Sequence, residues 1–192
     1  GIGLTKCTPM EMVIFWGSGF WGLLAFAMQM VLVLVTGHTL ATSPPFKRLI
    51  TKIAHSIKSH AHAIILTSFV AALGSWINWG FGLVIGALLA KEIAKNNKGI
   101  DYRLLIASAY SGFVVWHAGI SGSAPLQVAT EGHFLQDLIG IIPTSQTLFA
   151  PWNLIASFVI IFALGFVNKM MIPPEEEIVE IDPSLLVEEE EK

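Results

Sequence analysis

Four long stretches of this chain contain no Asp, Glu, Lys or Arg: Met12–Phe46, Ser59–Ala90, Leu104–Thr130 and Leu138–Asn168. Each exceeds the roughly 20 apolar residues that cross a ~30 Å hydrocarbon core. One such stretch fits a buried helix in a large soluble protein. Four in succession read as an integral membrane protein. Composition agrees, since only 13% of the residues are charged, against about 25% in a soluble domain. Mean hydropathy is +0.67.

The formal net charge of −3 conceals a division, because nine of the fourteen acids lie between Glu175 and Glu191. The body before them has five acids against ten Lys and Arg, placed between the apolar stretches and not on a face shaped for nucleic acid. The single cysteine, Cys7, excludes an internal disulfide and argues against a thiolate metal site. Gly1–Glu11 lacks the basic region and short apolar core of a cleavable leader.

These features predict an all-α integral membrane protein with a membrane domain over 1–174 and an acidic cytoplasmic linker or tail over 175–192. The first transmembrane span covers 13–40. Aromatics Phe15, Trp16, Phe20 and Trp21 mark its interfacial end, and Gly17, Gly19 and Gly22 suit close helix contact. Ser43-Pro44-Pro45 ends it. Over 46–62, apolar Phe46, Leu49, Ile50, Ile53, Ala54 and Ile57 recur at helical steps among Lys47, Arg48, Lys52 and Lys58. That pattern predicts an amphipathic interfacial helix with its basic face toward anionic lipid. His55, His60 and His62 have no nearby carboxylate or thiolate to complete a metal site.

The stretch over 63–94 has basic residues at both ends, and by the positive-inside tendency both ends belong in the cytoplasm. One crossing cannot satisfy that. A re-entrant helical hairpin can, entering, turning within Gly74–Gly80 and returning. Irregular backbone at that depth is tolerated only where it is buried in protein or lines a cavity, so the hairpin implies a site. Over 103–140 the reading is a broken transmembrane helix, interrupted at His117-Ala118-Gly119-Ile120-Ser121-Gly122-Ser123-Ala124-Pro125. Broken helices offer amides to anions and carbonyls to Na⁺ or H⁺. A last transmembrane span covers 152–172.

No catalytic set is visible: there is no G-x-S-x-G elbow around Ser121 or Ser123, no P-loop and no GxGxxG. The chain therefore does not read as an enzyme, and no cofactor or metal is implied. Two polar breaks in apolar segments remain. Their groups are the candidate contacts for an anion: Ser75, Asn78, Trp79, His117, Ser121, Gly122 and Ser123. Candidate contacts for a coupling ion are Asn78, Ser121, Ser123 and Thr130. Each has an alternative role in packing. Trp76 and Trp79 are either bulky filler or walls for a substrate tail.

The strings WGSGFWGLLAFAMQMVLVLVTGH (Trp16–His38), INWGFGLVIGA (Ile77–Ala87), SGSAPLQVATEGH (Ser121–His133) and IDPSLLVEEE (Ile181–Glu190) closely resemble the short-chain fatty acid transporter family of prokaryotes. That family is placed in the broad ion transporter superfamily. The resemblance implies a fold of two inverted repeats, each with a re-entrant hairpin and a broken helix, of which this chain carries one. It implies secondary, ion-coupled transport of small carboxylates such as butyrate or acetoacetate, with Na⁺ or H⁺ as coupling ion, in the plasma (inner) membrane. Family members are about twice as long, so the chain reads as a fragment or a natural half. Its expected partners are the bilayer, the carboxylate, and a second repeat half or another copy of itself. The competing reading is a membrane scaffold, or a subunit that transports nothing without its other half.

Overall fold

The computed structural model describes residues 5–22, 24–133 and 135–186. Residues 1–4, Leu23 within the first predicted span, Phe134 within the third stretch, and 187–192 of the acidic segment lie outside the described residues. Every regular element among the described residues is helical. Among the described residues, three helical segments are long and apolar enough to cross a membrane: His60–Ile77, Tyr102–Val128 and Pro151–Lys169.

Thr8 and Glu11 start α1 (Pro9–Gly22) with a reciprocal cap. The Thr8 amide donates to Glu11 Oε2 at 2.7 Å, and the Glu11 amide donates to Thr8 Oγ1 at 3.3 Å. No described residue comes within 4 Å of a side chain built at Gly17 or Gly19. The close contact anticipated there is not made within this structure. α2 (Leu24–Thr42) follows, and Ser43-Pro44 turns the chain directly into α3 (Pro44–His55). Ile50 and Ala54 of α3 are buried, with Phe46 stacked edge-on against Phe81 at 5.1 Å.

The stretch over 63–94 folds as a helical hairpin of two 18-residue helices, α4 (His60–Ile77) and α5 (Trp79–Asn96). It begins three residues earlier than expected, because Ser59 accepts the His62 amide and caps α4 there. The glycines do not loosen the turn. α4 continues through Gly74, and α5 has begun by Gly80. Instead they let helices touch. A Cβ on Gly74 would stand 3.0 Å from Gly82 Cα, and one on Gly82 would strike the Ser75 backbone. On the other side of α5, a Cβ on Gly80 would stand 3.1 Å from the Val33 carbonyl of α2.

α6 (Tyr102–Ser111) runs alongside α4 in the same direction. The Asp101 amide donates to His60 Nε2 at 3.3 Å near the start of both helices, and Gly112 packs on Ala71 and Ala72 further along. A tighter 3₁₀ run, Gly112–Ala118, carries on from α6 to the break. Helix resumes as α7 (Ser123–Val128), two residues before Pro125. Proline in a first turn removes no needed donor, so the break is narrower than the composition suggested. It then stops at Val128, short of 140. Beyond that point lie a turn at Gly132 (φ 80°), the one-turn α8 (Gln136–Ile139) and Gly140 (φ 67°).

α9 (Pro151–Lys169) returns antiparallel to α4, with Phe158 against Trp76 and Phe162 against Phe69, both at 5.5 Å. Its polarity is inverted. Asn153, Ser157, Gly165 and Asn168 are buried, with Ile161 as the bulky apolar exception, while Ile155, Val159, Phe162 and Phe166 are exposed. Asn168 Nδ2 donates to both Ser68 Oγ and Ser111 Oγ at 2.8 Å, joining α9, α4 and α6. Small and polar residues inside with bulky apolar ones outside is the pattern of helices packed in lipid.

The acidic segment, too polar to fold alone, docks on the loop before α6. Val179 donates to Asp101 Oδ2 and accepts from the Tyr102 amide, each at 2.9 Å. Arg103 donates to the Glu177 carbonyl at 3.0 Å. Burial pushes the Asp101 carboxyl up, but hydrogen bonds from Arg103, Val179 and Leu104, with the Arg103 charge, outweigh it and hold the group at about 2.

Candidate functional site at the joint of hairpin and broken helix

A single extended residue, Asn78 (φ −151°, ψ 121°), makes the turn between α4 and α5. Its Oδ1 accepts the Phe81 amide at 3.0 Å and caps α5. Each arm of the hairpin still has an orphan main-chain group beside the turn, and the broken helix supplies a partner for both. The Ile120 amide donates to the Trp76 carbonyl at 2.7 Å. The Trp79 amide donates to Ser121 Oγ at 3.0 Å. Two adjacent residues of one break thus close off both ends of the other.

Gly119 makes this approach possible, since any Cβ there would overlap the Trp76 backbone. From the far side, Asn153 Nδ2 at the start of α9 donates to the carbonyls of Ala118 (3.0 Å) and Leu148 (2.9 Å). The joint is therefore held by α4, α5 and α9 together.

Beside it opens a cavity of about 470 Å³, within the ~300–1,000 Å³ usual for small-molecule sites. Its polar lining is Ser121, Ser123, Gln127 and Thr130. Its apolar lining is Met30, Leu32 and Val33 of α2 with Trp79 and Leu126. No charged side chain among the described residues lines it. Ser121 Oγ, already accepting from Trp79, keeps its own proton to donate. The Thr130 hydroxyl donates to the Leu126 carbonyl at 2.8 Å, leaving its oxygen as an acceptor.

Of the candidates read from the sequence, the cavity gathers Trp79, Ser121, Ser123 and Thr130. Asn78 is next to it in sequence but spends its Oδ1 on the α5 cap. Ser75 is buried against Gly82, and its hydroxyl has no partner among the described residues. Gly122 is buried and does not line the cavity, and a Cβ there would overlap the His117 carbonyl. His117 is exposed, its ring edge-on to Trp116 at 3.6 Å. Trp76 packs on Phe158.

Sequence reading missed Gln127 and the α2 wall. Gln127 carried the signal that picked out Asn78, an amide in a charge-free stretch. Met30, Leu32 and Val33 carried none, because apolar residues in an apolar span look the same whether they face lipid or a ligand.

Lipid-type helix packing, with three segments among the described residues long and apolar enough to cross a membrane, defines an all-α integral membrane protein. The chain belongs to the short chain fatty acid transporter family, whose model matches residues 1–192. It is 47% identical over 186 residues to an Escherichia coli (strain K12) protein named "Putative short-chain fatty acid transporter", covering 97% of this chain and 42% of that protein. A protein of the same name from Haemophilus influenzae is 45% identical over 191 residues, covering 96% of this chain and 43% of that one. The chain thus spans less than half the length of these curated relatives. No solved structure matches it at a significant level.

Proposed function

We propose that this chain forms part of a secondary transporter that carries short-chain carboxylates such as butyrate and acetoacetate across the plasma membrane, with the cavity beside Ser121 as the substrate site. The observation that carries this reading is the cavity's chemistry at the meeting of two polar breaks: hydroxyls and an amide on one side, apolar side chains on the other. The names of the relatives point the same way.

A carboxylate in a cavity lined by neutral groups needs its charge offset, which favours a co-transported Na⁺ or H⁺. The basic ends of the hairpin favour a cytoplasmic location for those ends and for the acidic segment docked beside them.

The test is uptake of labelled butyrate and acetoacetate into membrane vesicles. The chain would be used alone and joined to the portion of the Escherichia coli relative that it does not cover. Uptake should appear in at least one form and vanish when Ser121 and Ser123 are both replaced by leucine, with membrane insertion retained. Unchanged uptake in that variant would remove the site. A chain that takes up nothing in either form would favour the scaffold reading. Replacing Na⁺ with choline, or adding a protonophore, identifies the coupling ion by which treatment stops uptake.

A further inference from the structure

The cavity is chemically divided by element. Every side chain that α2 brings to it is apolar (Met30, Leu32 and Val33), whereas the hydroxyls and the amide come from Ser121 in the break, Ser123 and Gln127 of α7 and Thr130 beyond it, with Leu126 and Trp79 as the remaining apolar lining. A short-chain carboxylate has the same division along its length. Binding therefore orients it, with the carboxylate toward Ser121 and Ser123 and the alkyl end toward α2.

The distance between those two walls is fixed by main-chain contact. The Val33 carbonyl lies so close to Gly80 that a Cβ there would stand 3.1 Å away, and a Cβ on Gly37 would stand 2.7 Å from the Phe81 amide nitrogen. No side chain separates α2 from the start of α5 at these points. Trp79, the neighbour of Gly80, is the residue whose amide holds Ser121. The polar wall and the apolar wall are thus both referred to the first turn of α5.

We propose that α2 is a chain-length gauge, in which Met30 and Val33 set how long an alkyl tail the site accepts. The proposal rests on the carboxylate-site reading above and names residues that decide among carboxylates.

The experiment uses the whole chain in nanodiscs, with acetate, butyrate and hexanoate as probes and competition binding followed by ligand-observed NMR. In the parent chain, affinity should rise from acetate to butyrate by up to about fourfold per methylene. Met30→Trp should weaken butyrate and hexanoate at least tenfold while leaving acetate within twofold. Val33→Ala should shift preference the other way, raising hexanoate relative to butyrate severalfold. The two variants act in opposite directions, so misfolding of one cannot mimic the pattern.

A variant that changes all three acids by one common factor overturns the gauge and leaves the carboxylate site standing. Binding of none of the acids by the parent chain defeats the site itself, and the gauge with it.

Discussion

Asn78 and Ser121 show how a residue chosen for one reason can serve another. An amide in an apolar stretch must be satisfied, and at Asn78 the α5 cap does much of that work. Asn78→Ala should therefore cost about 1 kcal/mol of stability, read as a lower melting temperature in detergent, with Asn78→Asp close to the parent because it keeps the cap. If uptake falls while melting is unchanged, Asn78 acts on the ligand and not on the helix. Ser121 both holds the Trp79 amide and lines the cavity. Ser121→Ala removes the partner of the Trp79 amide and a donor facing the cavity. A lost hydrogen bond to a charged ligand costs about 1.5–3 kcal/mol, or roughly 10- to 150-fold in affinity. Butyrate competition binding should show a loss in that range.

At the level of elements, the glycines divide into two kinds that sequence alone could not separate. Gly82 sits in a helix crossing and Gly17 meets no described residue, yet both are glycines in apolar spans. Gly82→Ala should destabilise by about 1–3 kcal/mol, the usual penalty of overpacking, while Gly17→Ala should leave melting unchanged or slightly raised. Equal melting temperatures would mean that α4 and α5 do not cross as described. Asn168 gives a second test. Asn168→Leu breaks the bonds to Ser68 and Ser111, and at roughly 0.6–1.7 kcal/mol each in a membrane protein should cost about 1–3 kcal/mol.

Much of this level was legible from charge and hydropathy. The helical hairpin and the apolar α9 follow from them, and the interruption near Gly119 from its glycines and Pro125. The single-residue turn was not, because composition marks where helix is weak without showing that close packing can keep it helical. Nor was the end of α7, since residues 129–150 are as free of basic charge as the spans around them.

Across the whole molecule, the acidic segment ties the end of α9 back to the base of the hairpin through Asp101. That carboxyl is held at about 2, below its ordinary 3.8. A depressed carboxyl stabilises the folded state above its unfolded value and loses that contribution as pH falls through the folded one. Docking should therefore be complete above about pH 4 and loosen as pH drops through about 2. The contribution is about 1–2 kcal/mol once the exposure of Arg103 is discounted. A spin label at Ser184 should gain mobility over that interval, and Asp101→Asn should release it at neutral pH. A label equally mobile at pH 7 and pH 2 would contradict the docking.

The bond from the Ile120 amide to the Trp76 carbonyl has a different kind of consequence. It is made of peptide groups, so at Trp76 and Ile120 themselves every ordinary substitution except proline at Ile120 leaves both groups in place, and a scan of those two side chains passes over it without a signal. Replacing the amide at Ile120 with an ester, by chemical synthesis or nonsense suppression with a hydroxy acid, deletes the donor while leaving every side chain in place, and weakens as an acceptor only the Gly119 carbonyl that receives the Gly122 amide. That one-atom exchange isolates the coupling between the two breaks from the chemistry of the cavity beside them.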